Sequence, residues 1–164
     1  MNAPEAGSGP ADYHIEPAAL GDLRAVYRLE RVIFPLDAYS YFDLLLLLFW
    51  PGTVVLKYVA PDGALAGFAA GAPPRHDRYG WIITLGISPD HQRRGLGRRL
   101  LAACESQLDA ACIRLTVRAS NMPAIRLYEA TGYQFVTRRP GYYRDGEAGL
   151  IMEKCLDDEP DQDR

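Results

Sequence analysis

The sequence predicts an α/β fold of the α+β kind, in which a mixed β-sheet carries helices on its faces. Strand-like and helix-like segments follow one another in the order β-α-α-β-β-β-α-β-α-β-β. Two of the helices fall between strands, which makes βα units, whereas the other strands follow one another through short turns, as in hairpins. A length of 164 residues with 48% hydrophobic and 24% charged residues fits one soluble domain with a sizeable core.

The elements are predicted in order from apolar periodicity and from the residues that interrupt it. Pro35 separates two helical patterns, because proline removes a backbone donor and disfavours helix in the residue before it. Pro61-Asp62-Gly63 predicts a hairpin turn, and Gly132 predicts a helix end. The expected strands cover residues 13–17, 53–60, 64–72, 81–88, 113–118, 133–138 and 148–154, and the expected helices cover residues 21–33, 40–49, 98–110 and 120–132.

The predicted domain covers residues 12–156, between a flexible leader, residues 1–11, and an acidic tail, residues 157–164, that we expect to be disordered. The tail holds five acidic residues and one arginine, so the rest of the chain is nearly neutral. A nucleic-acid partner bound through a broad basic surface is therefore not expected. The start has no secretory pattern, and the apolar run at 44–50 is too short to span a bilayer, so no membrane partner is expected.

The cysteines Cys104, Cys112 and Cys155 show no CxxC spacing and have no nearby histidines, so no metal site is expected. An odd number of cysteines without a secretory signal indicates a reducing cytoplasm, in which all three would be buried thiols. We therefore predict a cytoplasmic protein. The sequence leaves open whether it is a monomer or a homodimer.

A short segment at residues 92–97, which reads Gln-Arg-Arg-Gly-Leu-Gly, follows a predicted strand and opens a predicted helix. The first N–H groups of a helix have no intrahelical partner and lie at the positive end of its dipole, so they bind anions. The two glycines let phosphate oxygens approach the backbone, and the arginines add positive charge. The spacing is neither that of a P-loop nor that of a dinucleotide-binding loop. We predict a pyrophosphate ligand here, the alternative being a helix start with solvated arginines.

With this loop after the fourth predicted strand, the order of elements resembles the GNAT acetyltransferases over roughly residues 12–156. The segments 117–121, 124–129 and 132–133 are similar to the second acetyl-CoA motif of that superfamily, and Val-Arg-Ala-Ser-Asn resembles bacterial ribosomal-protein alanine acetyltransferases. Tyr142 to Glu147 and Phe34-Pro35 resemble substrate-side segments of protein N-terminal acetyltransferase subunits. The resemblance implies a mixed, mostly antiparallel sheet of six or seven strands, splayed between strands four and five and flanked by about four helices.

The resemblance further implies an acetyl-CoA-dependent N-acetyltransferase and assigns roles to residues of this chain. Tyr128 matches a tyrosine that lies beside the coenzyme sulfur in this family and can protonate the leaving thiolate, since a phenol is protonated near neutral pH. The implied acetyl-CoA contacts are Leu85, Gly86, Ile87, Gln92, Arg93, Arg94, Gly95, Leu96, Gly97, Arg98, Asn121 and Tyr128, and the implied acceptor contacts are Phe34, Tyr39, Thr84, Tyr142 and Tyr143. The alternatives are core packing for Tyr128, helix capping for Asn121 and edge-strand packing for the tyrosine pair.

This chain departs from the family pattern at the general base, because Thr116 and Trp81 occupy the positions at which relatives carry one. Asp37 is the nearest match to an acidic residue that other relatives carry after the first helix, and we name it as the candidate base. A turn role is the alternative for Asp37, since an exposed aspartate is a poor base. Glu30 and a water chain to bulk solvent are further possibilities.

The acceptor that the resemblance favours is a protein or peptide N-terminal α-amine. A small amine, such as a polyamine, an amino acid or an aminoglycoside, is the alternative, and a clearly acidic groove formed by Glu30, Asp37 and Asp43 would favour it. A non-catalytic CoA-binding sensor is a third hypothesis, which Thr116 and Trp81 keep open.

Overall fold

The computed structural model describes residues 13–75 and 78–156, so the predicted leader and acidic tail lie outside the described residues. None of the helices in this part of the chain is long and apolar enough to cross a membrane. The strands are β1 His14–Pro17, β2 Val54–Val59, β3 Leu65–Ala72, β4 Tyr79–Ile87, β5 Cys112–Arg118, β6 Gln134–Arg139 and β7 Gly149–Cys155. The α-helices are α1 Leu23–Ile33, α2 Tyr41–Phe49, α3 Leu96–Glu105 and α4 Met122–Ala130.

The order and type of the elements are confirmed, and the bounds differ from the prediction by a few residues. The largest difference is at α3, which ends at Glu105 rather than near residue 110. The N–H of Leu108 bonds to the Glu105 carbonyl at 3.0 Å, so the chain tightens into turns there. Leu108 is nevertheless buried, so the apolar pattern continues past the end of the helix.

The seven strands form one sheet in the order β1-β2-β3-β4-β5-β7-β6, in which β4 and β5 are parallel and the other neighbours are antiparallel. β4 and β5 pair only where residues 79–81 face residues 112–114, and their carboxyl ends therefore separate. The predicted splay between strands four and five is confirmed. A cleft opens at that point because no backbone ladder joins the two strands there.

The core lies on both faces of the sheet, as the alternation of adjacent residues on β3 shows. Phe68 packs with Leu23 and Val26 of α1 and with Leu44 of α2. Its neighbour Ala69 belongs to the cluster on the opposite face, which contains the buried residues of α3 and α4. Successive side chains of a strand point to opposite faces, so α1 and α2 cover one face and α3 and α4 the other.

The structure contradicts the expectation that all three cysteines are thiols. Cys112 and Cys155 form a disulfide between β5 and β7, whereas Cys104 is a buried free thiol. The antiparallel register places Cys112 directly opposite Cys155, and the spacing of residues in the sequence does not reveal such a long-range pairing. The cysteines therefore no longer support the prediction of a reducing compartment.

Candidate active site

A cavity of about 940 Å³ lies at the separated ends of β4 and β5. Its walls are α1 and the loop after it, β4, β5, the start of α4 and the loop between β6 and β7. The predicted site residues that line it are Phe34, Asp37, Tyr39, Thr84, Leu85, Asn121, Tyr128, Tyr142 and Tyr143, together with Glu30, Trp81 and Thr116. The structure thus brings the predicted catalytic and acceptor residues together, while Gly86, Ile87 and the loop at 92–98 lie outside this lining.

The predicted anion loop forms the N-terminus of α3. Gly95 is the N-cap residue with a φ of 74°, and Arg93 also has a positive φ, of 61°. A Cβ atom at Gly95 would meet no atom within 4 Å, so the surface beside the helix start is open. Left-handed residues curl a backbone so that its N–H groups converge on an anion. This geometry fits a pyrophosphate group bound by backbone donors.

Several side chains of this loop hold the protein together instead of facing a ligand. The amide of Gln92 donates to the carbonyl of Ile87 at 3.1 Å and ties the loop to the end of β4. The guanidinium of Arg98 donates to the carbonyl of Ala130 at 3.1 Å, at the end of α4. Leu96 is buried in the core. Leu96 and Arg98, in the first turn of α3, can offer backbone N–H groups, whereas the N–H of Gln92 donates to the Pro89 carbonyl at 3.4 Å. The side chains of the other two arginines of the loop are exposed.

Gly86 of β4 makes room for the end of α1. A Cβ atom at Gly86 would lie 2.7 Å from the Cδ1 of Ile33 and 3.2 Å from a ring carbon of Phe34. The close approach expected at this glycine is present, but the neighbour on that side is a protein side chain. Coenzyme contacts at Gly86 and Ile87 stay a prediction, whereas Leu85 lines the cavity.

Asn121 is the N-cap residue of α4, and Tyr128 lies on this helix. The Oδ1 of Asn121 accepts from the N–H of Ala124 at 3.3 Å, so this residue caps the helix. Tyr128 lines the cavity and is 8% exposed, with its ring edge-to-face against Tyr133 at 5.7 Å between centroids. Burial raises the pKa of Tyr128 to about 12. The phenol is therefore protonated at neutral pH and can donate a proton to a group in the cavity.

Arg118, at the end of β5, joins two loops that form walls of the cavity. Its guanidinium makes a bidentate ion pair with Asp37 on the loop between α1 and α2, with an Nη2 to Oδ1 distance of 2.7 Å. Its Nη1 donates to Asp145 and Glu147 on the loop between β6 and β7. Its centre lies 4.2 Å from the ring centroid of Tyr143. Both oxygens of Asp37 are thus engaged, which favours the turn role for Asp37 over the role of base.

Glu30 of α1 is a buried carboxyl that faces the same cavity and is 1% exposed. Its Oε1 accepts from the backbone N–H of Tyr39 at 3.2 Å, whereas its Oε2 has no hydrogen-bond partner in the described part of the chain. Burial raises the pKa of Glu30 to about 7, against the opposing effect of the Tyr39 N–H and the Thr84 side chain. Such a carboxyl can take up and release a proton near neutral pH.

Tyr39 and Tyr142, which lie on different loops, both line the cavity, and we call the part of the cavity beside them the slot. Burial raises the pKa of Tyr39, and the proximity of Glu30 and Tyr142 adds to this effect. Tyr142 is 48% exposed and its ring rests on Gly149, where a Cβ atom would lie 2.9 Å from the ring. The ring of Tyr143 packs edge-to-face against it at 5.0 Å. The two loops therefore leave a slot with aromatic walls.

Comparison with known proteins identifies the family. The model of the acetyltransferase (GNAT) family matches residues 23–133. The N-alpha-acetyltransferase of Saccharolobus solfataricus is 27% identical over 158 residues, which cover 88% of this chain and 94% of the relative. The catalytic subunit of the N-terminal acetyltransferase A complex of Arabidopsis thaliana is 32% identical over 151 residues, which cover 87% of this chain and 77% of the relative. The crystal structure of the ribosomal-protein-S18-alanine N-acetyltransferase from Escherichia coli matches with a TM-score of 0.81 at 28% identity, covering 93% of this chain and 99% of that chain.

These matches confirm the predicted fold and the predicted enzyme class. The family model spans α1 to α4 and so includes most of the cavity walls. The relatives are named as N-acetyltransferases, and dependence on acetyl-CoA is general to their family. This chain belongs to the GNAT acetyltransferase family and is an N-acetyltransferase.

Proposed function

We propose that this enzyme transfers the acetyl group of acetyl-CoA to the α-amine of a protein or peptide N-terminus. The observation that carries the proposal is that Tyr39 and Tyr142 of the slot line the same cavity as Tyr128. Tyrosines offer rigid contact area together with a polar group, which suits a peptide backbone. A chain end lying in the slot would present its terminal nitrogen to the interior.

The proposed acetyl-CoA site has two parts. The pyrophosphate would lie at the N-terminus of α3, where Gly95 leaves open space beside the backbone N–H groups. The pantetheine arm would lie between the separated ends of β4 and β5, beside Leu85 and Asn121. The side-chain oxygen of Asn121 caps α4, and its amide N–H₂ group would be the donor to the arm. The thioester would then lie near the Tyr128 phenol.

The charges of the slot support a peptide over a polyamine or an aminoglycoside. Asp37 is paired with Arg118. Asp43 belongs to the capping box of α2, where it accepts from the N–H of Ser40 at 3.1 Å and from its hydroxyl at 2.6 Å. Among the described carboxyls that line the cavity, Asp37 is thus neutralised and Glu30 is buried, which leaves Asp43 as the exposed carboxylate for a polycation. The relatives named for action on protein N-termini support the same acceptor class.

The test is calorimetric titration with acetyl-CoA, followed by measurement of free thiol with a panel of acceptors. The panel contains peptides that begin with Ala or Ser, the same peptides with a blocked N-terminus and an internal lysine, and small amines. We expect binding, and turnover that requires a free peptide N-terminus. Turnover with small amines alone would transfer the proposal to that acceptor class. Binding without turnover would favour a CoA-binding sensor, and no binding would contradict the acetyl-CoA site.

A further inference from the structure

We propose that Glu30 is the general base that removes a proton from the acceptor amine. This inference rests on the acetyltransferase function proposed above. It supplies a general base in place of the one that relatives carry on the fifth strand. Thr116 occupies that position, and its hydroxyl cannot accept a proton at neutral pH. Glu30 lines the same cavity from α1, across from β5.

The first argument is the unpaired oxygen of Glu30. The side chain is buried, and the Thr84 side chain is near enough to affect its carboxyl, yet its Oε2 makes no hydrogen bond of good geometry among residues 13–75 and 78–156. A buried polar atom without a partner costs about 1–3 kcal/mol, so such an atom in a native structure calls for an explanation. An amine nitrogen in the slot is a hydrogen-bond donor, and it would satisfy the Oε2 atom when the acceptor is bound.

The second argument is that the other candidate bases of the cavity are engaged. Both oxygens of Asp37 are bound by Arg118, and Asp43 is bound by Ser40 in the cap of α2. Burial raises the pKa values of Tyr39 and Tyr128, so both phenols keep their protons at neutral pH. Among the described carboxyls that line the cavity, Glu30 is the one with a fully buried oxygen that lacks a hydrogen bond. Asp43 is exposed, and its hydrogen bonds with Ser40 lower the pKa of its carboxyl, which makes it a weaker base.

The surroundings of Glu30 suit exchange of a proton near neutral pH. The groups that affect the ionisation of Glu30 directly are the Tyr39 N–H and the Thr84 side chain. The titratable or charged side chains that line the cavity with it are Tyr27, Arg31, Asp37, Tyr39, Asp43, Arg118, Tyr128, Tyr142, Tyr143 and Arg144. The guanidinium of Arg31 is turned to the Tyr27 hydroxyl, at 3.2 Å on the exposed side of α1. Burial is the leading cause that raises the pKa of Glu30 to about 7. A base with a pKa near the working pH is the most effective one.

The protons balance with Glu30 and Tyr128 in these roles. The Glu30 carboxylate takes one proton from the acceptor ammonium, and the freed lone pair of nitrogen attacks the thioester carbon. The C–N bond forms, the C–S bond breaks, and the Tyr128 phenol gives its proton to the leaving sulfur. The second proton that nitrogen loses as the amide forms restores Tyr128. Glu30 returns its proton to solvent, so the reaction releases one proton overall.

The test compares Glu30→Gln with the wild type in a pH profile, using a peptide acceptor that the wild type acetylates. Gln keeps the size of the side chain but cannot accept a proton, so kcat should fall at least about 10²-fold. The Kd for acetyl-CoA should stay unchanged. The wild-type profile should show an acidic limb near pH 7. That limb should vanish in Glu30→Gln, leaving the titration of the acceptor amine itself.

Two further variants make the comparison specific. Glu129→Gln carries the same change at an exposed position of α4 and should behave as the wild type. Glu30→Asp keeps a carboxyl, so it should recover part of kcat and retain an acidic limb. If Glu30→Gln does not fold, an isotope-edited infrared titration of wild-type carboxyl groups replaces it, and a carboxyl that titrates near pH 7 supports the proposal.

The proposal is overturned if kcat of Glu30→Gln falls by less than about tenfold, which is below the contribution expected of a general base. It is also overturned if the profile of Glu30→Gln keeps the limb near pH 7 of the wild type in addition to the limb of the acceptor amine. It is equally overturned if Glu30→Asp is as inactive as Glu30→Gln, or if no carboxyl titrates near pH 7 in the infrared experiment. These outcomes differ from a failure of the proposed function, in which the wild type itself acetylates no peptide.

Discussion

Replacing Glu30 with Gln should change how the stability of the enzyme depends on pH. The folded-state pKa of Glu30 is about 7, against an ordinary value of 4.5, so the folded protein holds this proton more tightly than the unfolded chain does. The stability that the group contributes is fully present below the unfolded pKa and is lost as pH rises through the folded pKa. Gln carries no charge at any pH, so the variant should lack this loss.

The magnitude follows from the gap between the two pKa values. At about 1.36 kcal/mol per pH unit the gap corresponds to about 3.4 kcal/mol of unfolding free energy. About 2.5 kcal/mol of this stability is lost between about pH 5 and about pH 8. The remainder is already lost at about pH 5, because the carboxyl of the unfolded chain is mostly ionised there. The change is a large fraction of the stability of an ordinary domain.

The assay is urea denaturation of the wild type, Glu30→Gln and Glu129→Gln at these two pH values. The other titrating groups are common to wild type and variant, so their effects cancel in the difference. We expect the advantage of Glu30→Gln over the wild type to grow by roughly 2–3 kcal/mol from the lower to the higher pH, and Glu129→Gln to follow the wild type. Parallel pH dependences of wild type and Glu30→Gln would refute the argument, since they would mean that water reaches the carboxyl and lets it ionise normally.

Three further changes test the rest of the site. Tyr128→Phe should lower kcat at least about 10²-fold with little change in acetyl-CoA affinity, as measured by turnover and calorimetry, because it removes the proton donor; unchanged kcat would exclude that role. Gly149→Ala places a Cβ atom 2.8 Å from the Cγ2 of Thr116 and 2.9 Å from the ring of Tyr142, so both side chains must shift. The KM for a peptide should then rise roughly tenfold, the equivalent of about 1.4 kcal/mol of lost contact, while acetyl-CoA binding stays constant; an unaltered KM would mean that Tyr142 does not contact the acceptor. Arg118→Ala leaves Asp37 unpaired and should lower the free energy of unfolding by roughly 2–3 kcal/mol in urea denaturation, a loss that would be absent if the ion pair were fully solvated.

Most of the fold was predictable because each element carries a local signal. Apolar and β-branched runs identify the strands, and Pro35, Pro61 and Gly132 mark breaks that the structure confirms. The early end of α3 was not predictable, since Leu108 keeps the helical spacing of apolar residues while lying in a turn. The disulfide was missed for a different reason, because the register that places Cys112 beside Cys155 is a property of the assembled sheet.

The candidate site was predictable to the extent that its residues lie in short segments, and the assignment of roles to them stays a prediction. Asn121, the N-cap residue of α4, and Tyr128 within that helix line one cavity, which fits the resemblance that named them both. The role of Arg118 was missed, because its acidic partners come from two loops far apart in sequence. The signal for Glu30 was its place on the buried face of α1 with Leu23 and Val26, where an acidic residue is out of pattern.

The position of the proposed base follows from how the cavity is built. In an enclosed site a base need only reach the acceptor nitrogen, and any wall that faces the slot can carry it. The Thr116 position lies on β5, whereas α1 lies on the other side of the opening and is held close to β4 because Gly86 has no side chain. Arg118 fixes the loop after α1 in place through Asp37, so the Tyr39 N–H that binds Glu30 belongs to a braced segment. Loss of the usual base on β5 is therefore compatible with catalysis, provided that α1 keeps its buried carboxyl.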